Sequence, residues 1–96
     1  MEQTTPAVRL SGSWMSIWDE RILEVLRNEG PKTPTKISKL DHIHVSQPHV
    51  SDRLSRLREN NFVKSLGNGV YKITDNGKLY LDGKYDAESH VNIAES

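Results

Sequence analysis

The sequence predicts an α+β domain, with helices first and a β-hairpin after them. Three observations carry this. Apolar residues recur at helical spacing from about 17 to 29 and again after Ser46. Each helical stretch opens on a residue able to cap it. Gly67-Asn68-Gly69 then separates two short runs with the character of strands.

The first helix starts at Ser16, which stands three residues before Asp19 as in a capping box, with aspartate in place of the usual glutamate. Asp19 and Glu20 lie in the first turn, where the helix dipole favours anions. Trp18, Ile22, Val25 and Leu26 fall on one face with Leu23 alongside, and Gly30-Pro31 ends the element. A second start follows at Thr33, with Pro34 at the first helical position, where its missing N–H costs nothing. Ile37 and Leu40 face inward, the element ends near Asp41 or His42, and residues 42–45 make a turn.

Ser46 caps the third helix, and Pro48 sits in its first turn. Val50, Leu54 and Leu57 form an apolar stripe. At about 100° per residue, the opposite face collects Asp52, Ser55, Arg56 and Glu59, flanked by Ser51 and His49. Arg53 and Arg58 lean to the two shoulders of the stripe. The helix stops near Asn60-Asn61, asparagine being the non-glycine residue that most readily turns left-handed. Strands over 62–66 and 70–73 follow, joined by the Gly-Asn-Gly turn. Thr74 then caps a short amphipathic helix containing Leu79, Tyr80 and Leu81, which Gly77 weakens as a free helix.

Helix, short helix, turn, helix, hairpin and short helix in this order form the α+β winged helix-turn-helix plan. The division expected is a flexible arm over residues 1–13, the winged-helix domain over 14–84 and a flexible tail over 85–96. Val8 and Leu10 offer the arm two apolar side chains for docking.

The net charge is zero, yet the charges are segregated along the chain: residues 1–30 carry −2, residues 31–62 carry +3, residues 63–84 carry +2 and residues 85–96 carry −3. This asymmetry places a positive field on one face of a neutral molecule. Hydrophobic residues make up 34% and aromatics 6%, so the core is thin and a partner subunit is expected to add stability. Cysteine is absent, which excludes disulfides, thiolate metal sites and a cysteine nucleophile. No apolar run of about 18 residues exists and no charged segment leads into an apolar one at the N-terminus, so a cytoplasmic, nucleoid-associated protein is expected.

Residues suited to double-stranded DNA follow from this layout. Gln47 and Ser51 suit base edges, Arg56 has the fork that fits guanine, and Arg53 reaches a base or a phosphate. Asp52 and Ser55 share that face, and His49 lies near a phosphate. Lys36, Lys39 and Ser46 are expected as phosphate anchors. Lys64, Lys72 and Asn68 are the wing contacts, the lesser contribution since the tip is uncharged. A homodimer is expected through Trp14, Met15, Trp18, Leu79, Tyr80 and Leu81. His42, His44 and His49 raise a metal reading, but no fourth ligand has suitable spacing, so no metal and no cofactor are expected. No paired carboxylates in an apolar setting, nucleophile motif or phosphate loop appears, and an enzyme is not expected. The alternative is a winged-helix protein-interaction module in a transcription or replication assembly, favoured by the zero net charge and by Asp52 and Glu59 on the outward face.

Two resemblances sharpen the reading. Ser46-Gln47-Pro48, Val50-Ser51, Leu54, Leu57-Arg58-Glu59 and Phe62-Val63 resemble the recognition-helix region of arsenic-repressor-type winged-helix regulators. Those regulators bind metals through cysteines that this chain lacks, so metal sensing does not carry over. Over residues 14–87, "WMSIWDERILEVLRNEGPKTPTKISKL" and "GNGVYKITDNGKLYLDGKYDA" resemble the haloarchaeal phage phi-H-type repressors. The shared pattern is a tryptophan-opened first helix, Gly-Pro-x-Thr-Pro before the second, and tyrosine, threonine, glycine and Tyr-Leu after the wing. This implies sequence-specific repression by a dimer, in an archaeal setting of viral or prophage origin.

Overall fold

The computed structural model describes residues 8–93. Four helices, α1 (Ile17–Glu29), α2 (Pro34–Ser38), α3 (Gln47–Glu59) and α4 (Asp75–Leu81), combine with two hairpins. The wing pairs β1 (Val63–Gly67) with β2 (Val70–Ile73), and a second hairpin pairs β3 (Tyr85–Asp86) with β4 (Val91–Asn92). Lys32 extends the wing sheet by one residue, exchanging backbone hydrogen bonds of 3.1 and 2.9 Å with Tyr71.

The helix ends are built from the residues the caps require. Ser16 donates its backbone N–H to Asp19 Oδ2 at 3.1 Å. Thr33, Ser46 and Thr74 each accept from a backbone N–H three residues on, at 3.2, 3.4 and 3.2 Å. After α3, Asn61 adopts φ 65°, Asn61 N–H bonds to the Arg58 carbonyl at 3.0 Å and Phe62 N–H to that of Leu57 at 2.9 Å. These are the paired bonds of a Schellman motif, with asparagine in the left-handed seat and Phe62 buried against the stripe it closes. They also delay the first strand to Val63, one residue later than expected.

The core is one cluster in which Ile22, Leu23, Val25 and Leu26 of α1 meet Val50, Leu54 and Leu57 of α3, with Ile37, Phe62, Ile73, Tyr80 and Tyr85 completing it. Gly77 allows α4 to close on this core. A Cβ there would stand 2.5 Å from the Phe62 carbonyl oxygen and 2.7 Å from Ile73 Cγ1.

Two expectations are corrected. α2 ends at Ser38 rather than near Asp41, because tighter turns follow, with Leu40 N–H bonding to the Ile37 carbonyl and Ile43 N–H to that of Leu40, which carries Ile43 into the core. The described parts of the arm and tail, expected to be flexible, are folded onto the domain. Tyr85 and Ala87 are buried, Leu10 accepts a 2.8 Å hydrogen bond from Ala87 N–H, and Trp14 Nε1 donates to the Ala87 carbonyl at 3.0 Å. Arg9 pairs with Glu24 at 2.8 Å and bonds the Leu81 carbonyl at 2.9 Å. Tyr85 and Ala87, two residues apart, are the buried anchors of this segment, too short a pattern for periodicity to reveal. The remaining arm and tail residues, 1–7 and 94–96, lie outside the described residues.

Candidate nucleic-acid interface

Helix α3 divides cleanly. Val50, Leu54 and Leu57 are fully buried, whereas Gln47, His49, Asp52, Arg56 and Glu59 are exposed, with Ser51 and Ser55 half-buried between them. The stripe anchors the helix and the polar face stands outward. Arg56, whose side chain is 54% exposed, makes only a loose 3.9 Å pairing with Glu59, so its guanidinium is available to an incoming ligand.

Arg53 is placed differently. Its Nε donates to Asp19 Oδ1 at 2.7 Å, its Nη2 to Asp19 Oδ2 at 2.7 Å, and Nη2 also reaches the Trp14 carbonyl at 2.9 Å. Asp19 is 0% exposed and the Arg53 side chain 15%. The hydrogen bonds accepted by Asp19, and its charge, hold the guanidinium above the ordinary arginine pKa despite burial. Arg53 therefore acts as a strut between α3 and the start of α1. Charged and desolvated groups are held inside only when paired this well. Asp19 has two duties, capping α1 and receiving α3; its place in the sequence signals only the first.

The far end of α3 is tied as well. Asn60 Nδ2 donates to the Arg56 carbonyl at 2.9 Å, and Asn60 Oδ1 pairs with His90 Nε2 at 2.7 Å. The His90 ring lies nearly parallel to that of Trp14, at 8° and 6.4 Å between centroids. The tail hairpin thus braces the helix that the sequence marks for recognition, a link between residues 30 positions apart with no local signal.

Around α3, Lys36 and Lys39 are exposed on and just after α2, while the Ser46 hydroxyl is committed to its cap. Lys64 and Lys72 are cross-strand partners in the wing, and Asn68 occupies the wing tip at φ 55°. Of the residues expected at a dimer seam, Tyr80 and Leu81 lie inside the core, at 0% and 2% exposure. Tyr80 stacks on Phe62 and donates to Glu20, and burial pushes its hydroxyl pKa well up. Trp14 packs on Phe62, while Met15, Trp18 and Leu79 are only partly buried. His44 lies edge-on to Trp18 at 6.3 Å. Among the described residues, no group of three metal-ligating side chains converges, and no helix is long and apolar enough to cross a membrane.

No family model matches the chain, and no curated protein does. A solved structure does: the crystal structure of the PhiH1 repressor-like protein from Haloarcula marismortui is 46% identical, with a TM-score of 0.89 over 91% of this chain and 99% of that one. The chain belongs to the PhiH1 repressor-like family. The α+β architecture is that of a PhiH1 repressor-like protein.

Proposed function

We propose that this PhiH1 repressor-like protein is a sequence-specific, double-stranded DNA-binding transcriptional repressor that works as a homodimer on a near-palindromic operator. The observation that carries the reading is α3 itself: its stripe is buried, Arg53 fixes it against Asp19, and a polar face carrying the exposed Arg56 is left outward. A helix of this kind lies in the major groove, where base edges present distinct donor and acceptor patterns. Membership in a repressor-like family supports the same conclusion.

In this reading Arg56 takes guanine, Gln47 and Ser51 meet neighbouring base edges, and Asp52 accepts from a cytosine amine, with Ser55 beside it. Lys36, Lys39 and His49 contact phosphates and set the register, Lys64, Lys72 and Asn68 add the wing, and Ser46 serves as the cap that starts the helix. Arg53 contributes by holding the helix rather than by touching DNA. The dimer seam falls on Met15, Trp18 and Leu79, beside Ile17, which leaves 65% of its surface exposed, whereas Trp14, Tyr80 and Leu81 support it from within. Two recognition helices then enter successive major grooves about one helical turn apart. Repression follows from occupying a promoter and excluding the transcription machinery, on the nucleoid in the cytoplasm.

The rival, a protein-docking module, draws on Asp52 and Glu59 at the outward face. Interface centres are normally aromatic or aliphatic, and the front of α3 is neither. Selection from a random duplex library tests the proposal. Enrichment of a two-fold-symmetric motif with half-sites about one turn apart is expected. Recovery of unenriched sequence, with no preference over competitor DNA, would refute it.

A further inference from the structure

The wing carries a charge arrangement that does nothing for the fold. Lys64 and Lys72 face each other directly across β1 and β2, both exposed. Like charges opposed in this way destabilise a hairpin, and among the described residues neither has a carboxylate within salt-bridge distance. Arg9, Arg27, Lys32 and Arg53, by contrast, each have an acidic partner within 3.3 Å, and the exposed Lys36, Lys39 and Lys84, unpaired among the described residues, are not set opposite a like charge across a strand pair.

The two lysines are joined by a third. Lys78 of α4 lines the same shallow cleft of about 280 Å³ with Lys64, Lys72, Ile73, Thr74 and Asp75. Lys78 is exposed and likewise forms no salt bridge among the described residues. Three lysines against one aspartate leave the cleft positive. Its floor is rigid: Ile73 is buried, and the Thr74 hydroxyl donates to the Asn61 carbonyl at 2.6 Å while accepting from Gly77 N–H at 3.2 Å. The charge therefore converges from two separate elements onto a fixed surface, which a solvated run of lysines along one helix would not do.

We infer that Lys64, Lys72 and Lys78 form a phosphate-binding cleft at the base of the wing, which takes a DNA backbone phosphate outside the groove that α3 reads. The inference rests on the DNA-binding reading and adds α4, through Lys78, to the elements that contact DNA. A lysine ammonium suits this task because it is a compact point charge with three donors that does not demand one approach geometry. The site supplies affinity without sequence information.

The test is fluorescence anisotropy of the full chain on two unrelated labelled duplexes over a salt series, for wild type, Lys78→Gln, the triple variant Lys64→Gln/Lys72→Gln/Lys78→Gln, and Lys84→Gln as an exposed lysine outside the cleft. Lys78→Gln is expected to reduce the magnitude of the log–log salt slope by about 0.9 for each phosphate it ceases to neutralise. The triple variant should reduce it further, with affinity falling equally on both duplexes. Lys84→Gln should leave the slope unchanged. Because the triple variant removes a like-charge pair, it should melt at or above the wild-type temperature, which separates weaker DNA binding from unfolding. A wild-type slope retained by Lys78→Gln and by the triple variant would overturn the inference, and with it the wing contacts of Lys64 and Lys72, while leaving DNA recognition by α3 standing. Wild-type protein that binds neither duplex at low salt would overturn both. Inorganic phosphate that shifts the lysine side-chain NMR signals, with no effect of the variants on the DNA slope, would assign the cleft to a small anion and overturn the DNA contact.

Discussion

Replacing Arg53 by methionine keeps the aliphatic stem but leaves Asp19, which is 0% exposed, without its counter-ion. Two bonds of 2.7 Å to the carboxylate and one of 2.9 Å to the Trp14 carbonyl disappear together. Breaking a buried ion pair by removing one partner costs roughly 3–5 kcal/mol, because the remaining charge stays desolvated. Asp19 keeps its bonds to Ser16 N–H and hydroxyl at 3.1 and 3.3 Å, and the Arg53 side chain is 15% exposed, which places the loss at the lower end, about 3 kcal/mol. For a domain of this size that corresponds to a melting temperature lower by about 12–24 °C. Urea unfolding of wild type, Arg53→Met, Asp19→Asn and the double variant closes a cycle. The double variant should recover part of the loss, since no buried charge is then left alone. A loss below about 1 kcal/mol, with DNA affinity strongly reduced, would refute the strut and return Arg53 to the reading face.

Other outcomes follow from the same geometry. Arg56→Ala should weaken discrimination between operator and random DNA by about 1–3 kcal/mol without changing the unfolding midpoint, because its side chain is 54% exposed; equal losses on both DNAs would reassign it to a phosphate. Gly77→Ala should destabilise by about 1–3 kcal/mol, although alanine favours helix, because its Cβ would press on the Phe62 carbonyl; a higher melting temperature would contradict this. At the arm, the Ser13 N–H and hydroxyl hold the Glu88 carboxyl below the ordinary glutamate range, and the Ser89 side chain and backbone N–H groups do the same for Asp86. A depressed folded-state pKa stabilises above the unfolded value, and that stability is lost as pH falls through the folded one. The clasp should therefore loosen as pH drops below about 4 and not on the alkaline side, seen as a loss of protection of the Ser13 amide and Trp14 indole protons relative to their intrinsic exchange rates at each pH; protection unaltered by acid would count against it.

The four helix starts, the end of α3 and the wing turn are legible in the sequence because each is set locally. Ser16, Thr33, Ser46 and Thr74 cap within three residues, and Asn61 turns left-handed where a helix must end. The stripe Val50, Leu54, Leu57 is likewise a property of one helix. What the sequence does not disclose depends on distant partners. A helical wheel puts Arg53 on a shoulder of α3 but says nothing of what stands beside that shoulder. Only the crossing of α1 and α3 brings up Asp19, 34 positions away. Tyr80 and Leu81 suit a subunit seam by pattern alone, yet α4 closes over the core at Gly77, and that close approach turns both inward. Tyr85 and Ala87 form no periodic pattern, so their burial has no sequence signature. Lys78 gives no signal of its own, because one lysine on a short helix acquires meaning only beside Lys64 and Lys72.

That DNA is the partner of α3 is tested most directly by titrating the full chain onto a pooled random duplex from low to high salt. Non-specific affinity requires no knowledge of the operator. The expected result is binding at low salt that weakens linearly on a log–log plot, with a slope of about −0.9 for each phosphate contacted and several contacts per dimer. Absence of binding at the lowest salt would contradict it.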